Sequence, residues 1–185
     1  MVHSFPTRRS SDLATYGDAK SWPAAEAAGF VDRAVAQAGA RLLLLGDAGA
    51  RLLADAVRAA SRAPWRGELA GGAGAVDLVG RTSLPEVVGL LSGCHLFLGN
   101  DSGLMHLAAA LGVATLGLFG STDPAWTGPR GPRAEAIVAS GFACAPCFRR
   151  RCPQPRFCLA ALDAATVFAR AAAWARPPAD EGGAA

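Results

Sequence analysis

The chain has 185 residues, 51 % of them hydrophobic, which is enough for one domain with its own core and too apolar for disorder. A formal charge of +3 and 7 % aromatics, not interleaved with the basic residues, do not describe a nucleic-acid platform. No apolar run approaches the ~18 residues of a membrane span, and the N-terminus has no long apolar stretch of the signal-peptide kind, so a soluble cytoplasmic protein is expected.

In chain order, residues 1–13 stand apart. His3 to Leu13 (HSFPTRRSSDL) has no periodicity and a composition unlike the rest. It resembles a sequencing-adapter translation and is expected to be non-native, with the native protein cut upstream of Ala14. Ala14 to Pro23 reads as a polar, glycine-bearing loop. Pro23 to Ala38 reads as a helix with Phe30, Ala34, Val35 and Ala38 inward, and Arg41 to Leu45 as a short buried strand closed by Gly46-Asp47. Ala50 to Ala60 is a second helix, Trp65 to Gly74 a glycine-rich connection, and Ala75 to Val79 a strand. Ser83 and Glu86 form a capping box that opens a helix to about Ser92. Strands at Leu96–Leu98 and Val113–Phe119 flank a helix over 104–111. Another strand is expected at Ala134–Ala139, then a cysteine-rich loop and a helix from Asp163 to about Trp174. The tail beyond Arg176 is expected to be disordered. Strands alternating with helices predict an α/β fold with a doubly wound parallel sheet.

The most informative stretch is Cys94 to Gly112, CHLFLGNDSGLMHLAAALG. An apolar run stops at Gly99-Asn100-Asp101-Ser102-Gly103, and a helical stripe of Leu104, Leu107, Ala108 and Leu111 follows. A strand, polar turn and helix in that order present a ligand site at the carboxyl end of a strand. The helix N-terminus offers unpaired backbone N–H groups to an anion. Asp101 can accept hydrogen bonds from hydroxyls, and Gly103 lets a ligand approach the main chain. His106 lies one turn on. Simple helix capping by Asp101 and Ser102, and a core role for His106, are the plainer alternatives.

Seventeen of the eighteen basic residues are Arg, so Lys20 is the single lysine. In a chain so biased toward Arg, it marks a position where a compact ammonium is needed, unless it is a solvated surface residue. Trp22 is expected to pack its loop on the core. Ser121-Thr122-Asp123-Pro124 reads as a turn at the cleft or as turn chemistry alone. Cys94 stands alone. Cys144, Cys147, Cys152 and Cys158 follow C-x2-C-x4-C-x5-C, close enough for one tetrahedral zinc site, with free or redox-paired thiols as alternatives. Arg149 to Arg151 make a basic knuckle inside that loop, either solvated or drawn to phosphate groups or an anionic membrane surface.

Taken together, TYGDAKSWP, the stretch from GRTSLPEVVGLLSGC through NDSGLMH to GLFGSTDPAWTGPRG, and CAPCFRRRCPQPRFCL resemble glycosyltransferase family 9, which includes the ADP-heptose:lipopolysaccharide heptosyltransferases. The cysteine-rich segment is most similar to the heptosyltransferase II group. The resemblance covers roughly Ala14 to Trp174. It implies a GT-B enzyme with two Rossmann-like domains, of which residues 14–176 would be the C-terminal, donor-binding one. The acceptor domain with its general base would be missing, so no catalytic residue is expected here. The resemblance assigns donor contacts to Thr15, Tyr16 (a departure from the Thr of some members), Lys20, Thr82 (where some members place Met), Asp101, Ser102, Gly103 and His106. It implies ADP-heptose as donor and the lipid A–core as acceptor, at the inner face of the inner membrane. It implies an inverting transfer that requires no cofactor, with a structural zinc on the four cysteines as the one metal considered. Another nucleotide-sugar reaction on the same fold, or a non-enzymatic, metal-stabilised binding module, are the competing readings.

Overall fold

In the computed structural model, the described residues are 18–68, 72–154 and 157–174. Residues 1–17 and the tail from 175 lie outside them, and with them the expectations for the adapter-like segment, Thr15, Tyr16 and the tail. After a short 3-10 turn at Asp18–Lys20 come α1 (Ala24–Ala38), β1 (Arg41–Leu44), α2 (Arg51–Ala60), β2 (Trp65–Arg66) and β3 (Gly74–Asp77). Then follow α3 (Leu84–Ser92), β4 (Leu96–Asn100), α4 (Gly103–Ala110), β5 (Ala114–Phe119), α5 (Pro124–Thr127), β6 (Ala134–Val138) and α6 (Ala164–Trp174).

Among the described residues every strand pair is parallel, with neighbours in the orders β1-β3-β2 and β4-β5-β6. Parallel strands are covered on both faces, which explains why Leu42–Leu45 and Leu96–Leu98 read as apolar runs without alternation. Successive side chains nonetheless divide between two cores. Leu42, Leu98, Leu116 and Leu118 join Phe30, Ala34, Val167 and Ala171 of α1 and α6. Leu43, Val76, Phe97 and Phe119 join Val87 and Leu91 of α3 and Leu104, Met105 and Ala108 of α4. Each large side chain buried this way is worth about 1.5–3 kcal/mol of transfer free energy. Gly117 is required by that packing: a Cβ there would lie 2.5 Å from Met105 Sδ and 2.7 Å from the Phe119 ring.

Helix ends follow the local chemistry. Ser83 donates its N–H to Glu86 Oε2 at 2.7 Å, so the expected capping box is present. Gly39 ends α1 in the left-handed conformation at φ 61°. Two carboxylates cap at long range: Glu26 accepts from Ala164 N at the start of α6, and Asp32 accepts from Arg62 N and Ala63 N after α2.

The Trp65–Gly74 connection is not all loop. Trp65 and Arg66 form a two-residue edge strand beside β3, too short to leave an alternation in the sequence. The third strand ends at Asp77 rather than Val79, because the Asp77 carboxylate turns back to accept Val79 N at 3.0 Å.

Candidate functional site

The carboxyl ends of β4 and β5 carry the sequence's polar turn. β4 ends at Asn100, Ser102 is the N-cap residue and Gly103 the first residue of α4. Asp101 sits at the junction with its side chain 7 % exposed, and Lys20 Nζ lies 2.7 Å from its Oδ2. These two residues are 81 positions apart in the chain. Thr127 of α5 donates to the same carboxylate oxygen at 3.1 Å. The early turn, the β4–α4 junction and α5 therefore meet on one carboxylate.

Trp22 holds the lysine turn in place. Its backbone N–H bonds Asn100 Oδ1 at 3.2 Å and its indole N–H bonds Leu162 O at 2.7 Å. The side chain is fully buried and meets Phe30 edge-on, with ring centroids 6.2 Å apart. Its structural role is the expected one.

Of the other expected donor contacts, Ser102 is buried and Gly103 begins the helix, so both belong to the same junction as Asp101. His106 is exposed on α4. Thr82, in the loop between β3 and α3, has a buried hydroxyl without a hydrogen-bond partner among the described residues. Ser121, 2 % exposed just past the end of β5, likewise has a buried hydroxyl without a partner. Buried hydroxyls are ordinarily paired, and two at the carboxyl edge of the sheet mark where a polar ligand would be welcome. Thr127 and Asn100 were not singled out by the sequence. Asn100 stands inside the recognised turn, whereas nothing in DPAWT signals that a short helix brings its hydroxyl onto Asp101.

Of the two readings left open for Cys144, Cys147, Cys152 and Cys158, a zinc site or free thiols, the structure has free thiols. Among the described residues no three His, Cys, Asp or Glu side chains are gathered to hold a metal. Cys144 is exposed and Cys158 buried, in a 3-10 turn packed on Gly120. Burial pushes the Cys158 thiol above its ordinary pKa. Spacing permits a tetrahedron, but packing of the turn draws Cys158 into the apolar core instead. The segment folds over the site's rim: Ala19 N donates to Arg150 O at 3.3 Å and Phe148 N to Ser121 O at 2.7 Å. Phe148 takes φ 52° and its half-exposed ring lies 5.9 Å from that of Trp126. Arg149, Arg150 and Arg151 are exposed beside this rim.

A second charged group closes the edge at β3. Buried Asp77 bonds Arg51, and Arg58 approaches at 3.4 Å. Burial pushes this carboxyl up, but the Arg51 hydrogen bond, Val79 N–H and the nearby positive charge outweigh it and hold its pKa below the ordinary value. The same pairing raises Arg51.

Residues 11–157 match the model of glycosyltransferase family 9 (heptosyltransferase). Over 99 residues the chain is 40 % identical to lipopolysaccharide heptosyltransferase 1 of Pseudomonas aeruginosa, covering 49 % of this chain and 28 % of that protein. It is 35 % identical over 124 residues to lipooligosaccharide heptosyltransferase 2 of Haemophilus influenzae, covering 67 % and 34 %. Among solved structures it superposes on E. coli ADP-heptose lps heptosyltransferase II with TM-score 0.69 at 24 % identity, covering 94 % of this chain and 46 % of that one. It superposes on E. coli heptosyltransferase WaaC with ADP with TM-score 0.60 at 23 % identity, covering 92 % and 43 %. The chain thus spans about a third of the length of these curated relatives and under half of the solved chains.

Proposed function

The chain belongs to glycosyltransferase family 9, the heptosyltransferase family, and on that premise we propose that it is the donor-binding part of an enzyme that transfers heptose from ADP-heptose to the lipopolysaccharide inner core. The observation that carries the reading is the meeting of Lys20, from the first turn, with Asp101 at the opening of α4. An ammonium and a helix N-terminus side by side suit a diphosphate, where negative charge accumulates as the glycosidic bond breaks. Lys20 would exchange its Asp101 partner for the diphosphate or bridge the two. The freed Asp101 oxygens and Thr127 would take sugar hydroxyls. Ser102, Gly103 and the buried hydroxyl of Ser121 line the same edge, and Thr82 and His106 flank it. Transfer with inversion needs a base on the acceptor side. We assign that group and the acceptor site to a preceding domain of the whole protein, and donor phosphate contacts to Thr15 and Tyr16 of this chain. Residues 14–176 form the donor half in this reading, and residues 1–13 are foreign to it. The relative solved with ADP supports the choice of nucleotide. No helix among the described residues is long and apolar enough to cross a membrane, and the exposed Arg149–Arg151 knuckle supports peripheral contact with phosphorylated acceptor lipid.

Calorimetric titration of the chain with ADP-heptose, ADP and a UDP-sugar tests the reading. ADP and ADP-heptose binding in preference to the UDP-sugar is expected. Equal binding of all three, or of none, contradicts it.

A further inference from the structure

Helix α5 has no core to serve. None of its four residues is buried, and Trp126 is 77 % exposed. Four residues are far too few for a helix to sustain itself, yet local chemistry fixes this one from end to end. Asp123 caps it, its carboxylate accepting Ala125 N at 2.9 Å. Pro124 presets the first helical position. Gly128 N donates to Pro124 O at 2.8 Å, and a Cβ on Gly128 would collide with that carbonyl. A segment determined this closely, with no apolar burial of its own, matters for where it puts a polar side chain. The one it delivers to another element is Thr127. Thr127 Oγ1 lies 3.1 Å from Asp101 Oδ2 and 3.3 Å from Asp123 O. A hydroxyl has one hydrogen to give. The nearer, charged acceptor takes it, because a hydrogen bond to a carboxylate is stronger than one to a carbonyl. Lys20 Nζ reaches the same Oδ2 at 2.7 Å. Both donors therefore hold one oxygen of Asp101, and among the described residues no hydrogen bond engages the other, Oδ1.

We propose that Thr127 is a positioning residue for Asp101: it pins Oδ2, so that Oδ1 stays available to the donor's sugar while Lys20 turns to the diphosphate. The inference rests on the donor-binding reading above and adds a division of labour to it. Were Lys20 the sole partner of Asp101, the carboxylate would lose its orientation when the ammonium moved to the phosphates, and ordering it again would subtract from affinity. A neutral hydroxyl feels no such pull toward a diphosphate, and the capped helix keeps it in place. Lys20 then serves the phosphates and Thr127 serves the sugar, the two joined through one carboxylate. Loss of the Thr127 hydroxyl is accordingly felt by the sugar-bearing donor and not by the nucleotide alone.

The test is calorimetric titration with ADP and with ADP-heptose of the original chain, Thr127→Val, Thr127→Ser, Asp101→Ala and the double variant Asp101→Ala/Thr127→Val. Val keeps the shape of Thr without its hydroxyl; circular dichroism checks the fold, and Thr127→Ala takes its place should Thr127→Val not fold. Thr127→Val is expected to weaken ADP-heptose by about five- to tenfold, the net worth of one hydrogen bond, and ADP by less than about twofold. Thr127→Ser restores the ADP-heptose value. On the Asp101→Ala background the Val change weakens nothing further, because Thr127 acts through the carboxylate. Equal losses with both ligands mean that α5 only supports the edge as a whole, and overturn the proposal. Undiminished ADP-heptose binding by Thr127→Val, no recovery in Thr127→Ser, or losses that add on the Asp101→Ala background overturn it too. An original chain that binds ADP and ADP-heptose alike removes this inference alone, whereas one that binds neither fails the donor reading and this inference with it.

Discussion

Trp22 joins the lysine turn to the domain, and replacing it by Phe separates its contributions. The indole N–H is the partner of Leu162 O at 2.7 Å in a fully buried position. Phe keeps an aromatic ring against Phe30 but leaves that carbonyl unpaired, a loss of about 1–3 kcal/mol. The smaller ring also leaves a void; at ~24 cal/mol per Å³, a residual space of roughly 40 Å³ adds about 1 kcal/mol. The Trp22→Phe chain is therefore expected to be about 2–4 kcal/mol less stable. At about 2–4 °C per kcal/mol for a domain of this size, its thermal midpoint falls by about 5–15 °C. Circular dichroism is the assay, followed through urea and heat, because Trp65, Trp126 and Trp174 complicate fluorescence. Trp126→Phe is the internal control: Trp126 is 77 % exposed and its change stays within about 0.5 kcal/mol. A loss below about 1 kcal/mol for Trp22→Phe, or equal losses for both, would refute the claim that this side chain clamps the turn.

The remaining predictions concern the same edge and core. A double-mutant cycle of Lys20→Met and Asp101→Asn should return a coupling of about 1–3 kcal/mol in urea unfolding, since the pair is mostly buried; a value near zero would make it a surface contact. Gly117→Ala should cost about 1–3 kcal/mol by overpacking against Met105 and Phe119, and an unchanged urea midpoint would show that the core yields there. Asp77 is held below its ordinary pKa when folded, so the stability it confers is present above the unfolded carboxylate value near ~3.9 and is lost as pH falls through the folded one. Removing it with Asp77→Asn should flatten the fall in unfolding free energy below about pH 4, and an unaltered slope would assign the acid sensitivity elsewhere. Iodoacetamide should modify exposed Cys144 well before buried Cys158, whose thiol is raised by burial; comparable rates would contradict the described packing.

Much of this architecture is legible in the residues themselves. The NDSG turn after an apolar run, and the Ser83–Glu86 capping box, announce their elements because short-range chemistry decides them. The pairing of early Lys20 with the later turn follows from the family resemblance, since no local pattern brings residues 81 positions apart together. Thr127 was illegible because it depends on where a four-residue helix lands. The cysteine spacing left zinc and free thiols both open for a related reason: spacing sets what could coordinate, whereas the apolar turn around Leu159 and Leu162 sets where Cys158 goes. The edge strand Trp65–Arg66 is too short for periodicity, and its position is fixed by pairing with β3.

The central claim is that Lys20 and the opening of α4 hold the same diphosphate. It is tested most directly by titrating the original chain and its Lys20→Met variant with ADP and with adenosine. The account predicts that the variant loses about 10–100-fold in affinity for ADP, the worth of a charge-assisted hydrogen bond, and nothing for adenosine. An equal change for both ligands, or undiminished ADP binding without the ammonium, would contradict it.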